Sequence, residues 1–148
     1  MSGDGDRLVE ETAGALQAAV RLLVQRLRQS PAVQSGLTSS ETSALARLER
    51  AGDASPSALA RLERISPQSM GATLAALEER GLVERTPDPE DGRRTILSLT
   101  PAGTELLRRG RRARNDVLTA ALAEGFTPAE LWQLRTAAPL IERLADSI

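Results

Sequence analysis

Apolar residues recur along most of the chain at intervals of three and four, the spacing of one face of an α-helix. The pattern is clearest where Met70, Leu74 and Leu77 follow one another on a single side. Ser66 and Pro67 precede them as a helix start, because a serine oxygen caps free backbone N–H groups and proline has no N–H to leave unpaired. We therefore predict a helix from this point whose buried face carries those three apolar side chains.

The opposite face of this helix is polar only in its first turn and small thereafter, so it can approach another surface closely. It carries Gln68, Ser69, Ala72, Ala75 and Ala76. A shorter apolar helix opens at Ser55-Pro56 and reaches Ile65 with almost no linker before the next one. Two short helices in abrupt succession are typical of a helix-turn-helix.

Two strands are predicted after the second helix, at Leu82–Thr86 and Thr95–Leu99, with Gly81 as the helix stop. The segment between them holds two prolines, an Asp-Gly pair and two arginines, and is too polar to be buried. A hairpin in this position is a wing. Arg93 and Arg94 at its tip would reach phosphates or a narrow minor groove.

Further helices are predicted on both sides of this unit. Their expected limits are Arg7 to Gln29, the capping box at Thr38–Glu41 to Gly52, Thr100-Pro101 to Gly125, and the capping box at Thr127–Glu130 to Ile148. Residues 1–6 are expected to be disordered, and Pro139 is expected to bend the last helix.

Three short segments occur in a fixed order after the helix-turn-helix: Leu82-Val83-Glu84-Arg85, then Asp88-Pro89-x-Asp91-x-Arg93, then Leu97-Ser98-Leu99-Thr100-Pro101-Ala102-Gly103. This set resembles the MarR family of bacterial transcription regulators. The resemblance implies a mainly α fold with a winged helix-turn-helix, a small β-hairpin wing and long terminal dimerisation helices. It divides the chain into an N-terminal dimerisation helix with a disordered start (1–36), a DNA-binding lobe (37–100) and C-terminal dimerisation helices (101–148).

The family implies a homodimer that presents two copies of the second helix to successive major grooves, roughly 34 Å apart, on a pseudo-palindromic site. Ser66 and Ser69 would hold phosphate at the positive end of the helix dipole. Gln68 is the best base reader, because a side-chain amide pairs with adenine, whereas Ala72 offers only thymine methyl contact and Thr73 is marginal.

In the wing, the family pattern implies that Arg93 enters the minor groove and Arg94 lies on phosphate. Asp91 would hold the shape of the loop, and Arg85 would tie the wing to the body. The chain departs from the pattern at Gly71 and Ala72, where many relatives carry a hydroxyl residue and an arginine. Base discrimination would then depend more on DNA shape.

Relatives commonly bind small aromatic or anionic molecules between the dimer helices and the DNA-binding lobe, which implies a possible effector here. The candidate lining is Leu23, Arg26, Leu27, Leu45 and Leu48. The same residues also fit ordinary core positions and solvated charge.

Composition narrows the function classes. The chain has 148 residues, the size of one domain, and its net charge of −1 does not by itself indicate a nucleic-acid binder. Acids crowd the N-terminus and arginines lie in and after the wing, which allows a basic face on a nearly neutral molecule.

The absence of cysteine and histidine removes disulfides, thiol redox sensing and the commonest zinc ligand, so no cofactor or metal is expected. Without a membrane-spanning run or signal peptide, a cytoplasmic location is expected.

Two other function classes remain open. A dimeric winged-helix module that binds protein instead of DNA would fit the acidic pI and the alanine at position 72. A small hydrolytic enzyme using Glu78 and Glu79, or Glu90 and Asp91, is disfavoured because adjacent helical carboxylates point apart. The arginine run from Arg108 to Arg114 fits either a solvated helix face or direct DNA contact.

Overall fold

The computed structural model describes residues 2–148, which form six helices and two strands. In chain order they are α1 (Ser2–Gln29), α2 (Ser39–Ala51), α3 (Pro56–Leu62), α4 (Pro67–Glu79), β1 (Val83–Pro87), β2 (Thr95–Leu99), α5 (Pro101–Gly125) and α6 (Pro128–Ala145). A mainly helical chain with one antiparallel hairpin is the predicted fold class, which is confirmed.

The hydrophobic core lies in the middle of the chain, where α2, α3 and α4 pack against the hairpin. Met70, Leu74 and Leu77 on α4 are at most 1% exposed, so the predicted buried face of this helix is confirmed. Aliphatic side chains fill the rest of the core, namely Ala44, Leu45, Leu48, Leu59, Ala60, Leu82, Val83 and Leu97.

The predicted starts of α2 and α6 are confirmed by their hydrogen bonds. The Thr38 hydroxyl accepts from the Glu41 backbone N–H at 3.2 Å, and the Glu41 carboxylate accepts from the Thr38 N–H at 3.2 Å. Thr127 and Glu130 make the same reciprocal pair at the start of α6. Each box satisfies backbone donors that the first turn of a helix otherwise leaves unpaired.

The end of α4 is joined to the start of α5 by a compact set of backbone contacts. Gly81 adopts a φ of 69°, and the Leu82 N–H donates to the Leu77 carbonyl oxygen at 3.0 Å, which closes the helix. The Thr100 hydroxyl donates to the Gly81 oxygen at 2.6 Å, and the Thr100 N–H donates to the Leu82 oxygen at 3.1 Å. The segment around Thr100 thus fixes α5 on the turn that precedes the wing.

The hairpin is held on both edges of β2. β1 pairs with β2 in antiparallel register, with Val83 opposite Leu99 and Arg85 opposite Leu97. On the other edge, the Ala54 N–H donates to the Leu97 oxygen at 3.1 Å, and the Leu97 N–H donates to the Ala54 oxygen at 2.8 Å. This bridge from the α2–α3 connection was not predicted, and β1 starts one residue later than expected.

Three predicted helix limits were wrong, the first being the end of α3, which lies at Leu62 and not at Ile65. α1 begins at Ser2 instead of Arg7, so residues 2–6 are helical, while Met1 lies outside the described residues. An acidic side chain, Asp4, in the first turn complements the helix dipole and favours this earlier start. α6 ends at Ala145, before the predicted Ile148; Pro139 lies inside it, and the bend stays a prediction.

Apolar side chains on α1 and α6 face solvent. The described residues expose 11,082 Å², whereas a compact monomer of 15.8 kDa exposes about 7,300 Å². The half-exposed and exposed apolar side chains of these helices include Leu8, Val9, Val20, Leu22, Leu23, Leu131, Trp132, Leu134, Leu140, Ile141 and Leu144. Within residues 2–148, no helix combines the length and apolar character needed to cross a membrane.

Candidate nucleic-acid interface

The exposed face of α4 starts with two serines that bond to each other. The Ser66 hydroxyl accepts from the Ser69 backbone N–H at 3.1 Å, and the two hydroxyl oxygens lie 3.0 Å apart. Both side chains remain exposed, as do Gln68 and Ala72, whereas Thr73 is half-buried. This face combines hydrogen-bonding groups in the first turn with small side chains after it.

The tip of the wing is shaped by its two aspartates. Asp91 Oδ1 accepts from the Arg93 N–H at 3.1 Å, and Asp88 Oδ1 accepts from the Glu90 N–H at 2.9 Å. The loop is closed by the Asp88 N–H, which donates to the Arg94 oxygen at 2.9 Å, and by the Arg94 N–H, which donates to the Asp91 oxygen at 2.9 Å. These bonds fix the backbone under two exposed guanidinium groups.

The two wing arginines differ in their surroundings. Arg94 Nε lies 3.9 Å from Asp91 Oδ2, which is a loose and exposed ion pair. Among residues 2–148, no ion pair involves Arg93. Its charge is therefore free of a carboxylate partner within the described chain, and this is what an arginine directed at phosphate or a minor groove requires.

The wing is also tied to α4 through side chains. Arg85 on β1 forms an ion pair with Glu78 in the last turn of α4. The pair occupies the Arg85 guanidinium on the protein itself and sets the position of the hairpin relative to the helix. Glu79, beside it, remains exposed at the end of α4.

Glu63, in the α3–α4 turn, links the helix-turn-helix to α2. The Ser43 hydroxyl donates to one carboxylate oxygen, and Arg47 Nε donates to the other at 2.8 Å. The Ser43 hydrogen bond, followed by the hydrogen bond and charge of Arg47, lowers the pKa of Glu63 against the opposing effect of burial. The turn between the two short helices is therefore held by an ionised carboxylate.

The predicted effector-binding residues differ in their burial. Leu45 and Leu48 are 0% and 3% exposed and belong to the core, because α2 turns that face toward α4 and the hairpin. These two leucines thus occupy the core positions that the sequence also allowed, and the effector crevice stays a prediction. Leu23 and Arg26 are exposed and Leu27 is half-buried on α1, and none of these three lines the cavity described next.

A different cavity of about 250 Å³ lies between α2, α5 and the segment after α1. Its apolar walls include Val33, Leu37, Ala46, Leu106 and Leu107, and its polar rim includes Arg50, Arg111 and Arg114. Arg111 pairs with Glu49 at 2.6 Å across α5 and α2. Gly110 also lies on the cavity wall, where the Arg114 guanidinium comes within 3.4 Å of the position that a Cβ would take.

Comparison with known proteins agrees with this geometry. A model of the MarR family matches residues 35–94, the helix-turn-helix and wing. An uncharacterised HTH-type transcriptional regulator of Mycobacterium bovis is 39% identical over 135 residues, which cover 90% of this chain and 92% of that protein. A transcriptional regulator of Pseudomonas aeruginosa is 34% identical in its crystal structure, with a TM-score of 0.81 and coverage of 91% and 94% of the two chains.

A structure of MepR from S. aureus bound to an oligodeoxyribonucleotide shares the fold. It has a TM-score of 0.68 at 19% identity and covers 93% of this chain and 98% of that chain.

Proposed function

Because the chain belongs to the MarR family of DNA-binding transcriptional regulators, we propose that it binds a pseudo-palindromic operator as a homodimer and acts as a repressor. The observation that supports this most is the exposed small face of α4 beside a wing whose tip carries Arg93 without an ion-pair partner in residues 2–148. Acting on the chromosome of a bacterium, the protein would work in the cytoplasm.

Each part of this surface has a proposed role on duplex DNA. Ser66 and Ser69 bind phosphate at the N-terminus of α4, where the helix dipole favours negative charge. Gln68 reads a base in the major groove, and Ala72 contacts a thymine methyl group. Arg93 enters the adjacent minor groove, and Arg94 lies on phosphate. The F27L variant of S. aureus MepR, which has the same fold, was solved with an oligodeoxyribonucleotide.

The homodimer is proposed from the surface that one chain leaves open. The excess over a compact monomer is about 3,800 Å². Some of it reflects the extended shape of the terminal helices, but the apolar side chains on α1 and α6 need a covering surface. A second copy of the chain supplies matching apolar stripes. Stable homodimers commonly bury about 2,000 Å² or more of surface in total.

Release from DNA by a small anionic molecule is proposed at the cavity between α2 and α5. Its walls are apolar, and its rim carries Arg50 and Arg114 as well as Arg111, which already pairs with Glu49 of the same rim, so an aromatic or aliphatic acid would bury its body and pair its charge with Arg50 and Arg114. Such a ligand acts only if it binds one spacing of the two α4 helices better than the other.

Selection of bound duplexes from a random pool tests the proposal, because it reports binding, site symmetry and half-site spacing together. We expect an inverted repeat with half-sites about one helical turn apart. Affinity should fall steeply as salt rises, because bound phosphates release counterions. Failure to retain any duplex at low salt would overturn the DNA-binding proposal and favour a module that binds protein instead.

A further inference from the structure

A groove of about 890 Å³ lies beside α3, between the start of α4 and the base of the wing. Arg61 and Arg64 form part of its wall from the helix-turn-helix side, and Arg94 does so from the wing. No acidic side chain is among the residues that line it in the described part of the chain. The groove is therefore a concave surface of positive charge next to the candidate base-reading helix.

Arg64 lies in a backbone conformation that normally belongs to glycine. Its φ is 53°, and α3 ends with the Ile65 N–H donating to the Ala60 oxygen at 3.0 Å and the Arg64 N–H donating to the Arg61 oxygen at 3.2 Å. This is the glycine position of a helix C-terminal motif, and a side chain there costs about 1–2 kcal/mol. The strained backbone at Arg64 is explained if its guanidinium contributes to ligand binding.

The charges in the groove have little internal compensation. Neither Arg61 nor Arg64 makes an ion pair within residues 2–148, and both are exposed. Arg94 has only the loose 3.9 Å contact with Asp91. Ser55 and Ser57, whose hydroxyl oxygens lie 3.2 Å apart, add hydrogen-bonding groups to the same wall. Guanidinium and hydroxyl groups together are the usual partners of phosphate oxygens.

We propose that this groove holds the phosphodiester backbone that separates the major groove read by α4 from the minor groove entered by the wing. Arg61, Arg64 and Arg94 contact successive phosphates of that strand. The placement follows from the walls, since Pro67 begins α4 and Thr95 begins β2 on the two sides of the groove. A strand whose two flanking grooves are both occupied must pass between these elements. The inference rests on the proposed DNA binding.

The test is the salt dependence of binding to a random-sequence duplex, compared between the wild type and the double variant Arg61→Ala/Arg64→Gly. Glycine at position 64 removes the guanidinium while relieving the backbone, so the fold is kept. Two lost phosphate contacts should reduce the slope of log K against log salt by about 1.8 and weaken binding about sixtyfold near 0.1 M salt. Arg143→Ala, which removes one exposed arginine from α6, is the control and should leave the slope unchanged.

Two outcomes would overturn the groove assignment. One is a double variant whose slope of log K against log salt equals that of the wild type. The other is inorganic phosphate stabilising the wild type but not the variant against heat, with DNA binding equal in both, because the groove would then serve a free anion. A wild type that binds no duplex at all would instead contradict the proposed function, so the two failures are distinguishable.

Discussion

Gly103, in the first turn of α5, packs directly against the backbone carbonyl oxygen of Leu82. A Cβ built on Gly103 would overlap that oxygen, which belongs to backbone and cannot turn aside. The same oxygen accepts the Thr100 N–H, so it is fixed by the start of the helix as well. Glycine is required at position 103 because the Leu82 carbonyl oxygen lies so close, and not because the backbone has an unusual φ.

Gly103→Ala should therefore destabilise the protein by about 1–3 kcal/mol through overpacking, even though alanine is the better helix former by about 1 kcal/mol. Gly110→Ala on the same helix is the matched control. Its nearest neighbour would be the flexible Arg114 guanidinium at 3.4 Å, so a gain of about 0.5–1 kcal/mol is expected. Urea denaturation at fixed chain concentration measures both, and equal effects of the two changes would contradict this explanation.

Arg93→Ala should weaken binding to the selected operator by about tenfold near 0.1 M salt and leave the oligomeric state unchanged, because one phosphate or minor-groove contact is lost. Gel-shift titration together with sedimentation measures the two properties. Arg93→Lys keeps the charge and should recover part of the affinity. Wild-type affinity in Arg93→Ala would remove this residue from the interface.

Gln68→Ala should change the preference among sequences more than the overall affinity. Its amide is exposed in the first turn of α4 and is proposed to read a base, and a bidentate contact of this kind is worth about 1–3 kcal/mol of discrimination. Selection from a random pool with the wild type and the variant compares the two preferences. An unchanged sequence preference would show that Gln68 reads no base.

The ionised Glu63 should make folding stability depend on acid pH. Its pKa is lowered in the folded state by Ser43 and Arg47, so its contribution is complete above the ordinary carboxylate pKa and is lost as the pH falls through the lowered pKa. Glu63→Gln should cost about 1–3 kcal/mol at neutral pH, and the difference from the wild type should shrink in acid.

Denaturation curves at several pH values measure this effect. Glu124→Gln, at the exposed end of α5, is the control and should lie within about 0.5 kcal/mol of the wild type at neutral pH. A constant difference between Glu63→Gln and the wild type at all pH values would mean that the carboxylate charge is not what stabilises the turn.

Leu134→Arg/Ile141→Arg should convert the proposed dimer to a monomer and strongly weaken operator binding. Leu134 and Ile141 are both nearly half exposed on the same face of α6. An arginine at these positions would be buried without a partner in the proposed interface, and a buried unpaired charge costs about 3–5 kcal/mol. Thr136→Arg, on the opposite side of the same helix, is the control and should stay dimeric. Sedimentation velocity measures the outcome, and a dimer in the double variant would place the interface elsewhere.

Local signals were sufficient for most of the fold. Thr38, Ser66 and Thr127 each specify a helix start through residues within one turn, so the sequence predicts those limits well. Contacts between distant segments were not predictable in the same way. The pairing of Ala54 with Leu97 depends on how α3 packs, and although Leu97 lies in a predicted strand, no pattern around Ala54 indicates one.

The candidate site shows the same division. The exposed face of α4 follows from helical spacing, but which leucines line a cavity depends on the rotation of α2, which placed Leu45 and Leu48 in the core. Arg64 was overlooked because a left-handed helix end is usually signalled by glycine, and this chain has arginine there.

The two-sided pairing of β2 has a mechanical consequence. Since Leu97 is bonded to Ala54 on one edge and β1 lies on the other, the hairpin cannot tilt independently of the helices that it flanks. The hydrogen bonds on both edges thus restrain the separation between the start of α4 and the wing tip. Any mismatch with the spacing of the two grooves must be absorbed by curvature of the duplex, so operators of equal base content but unequal bendability should differ in occupancy.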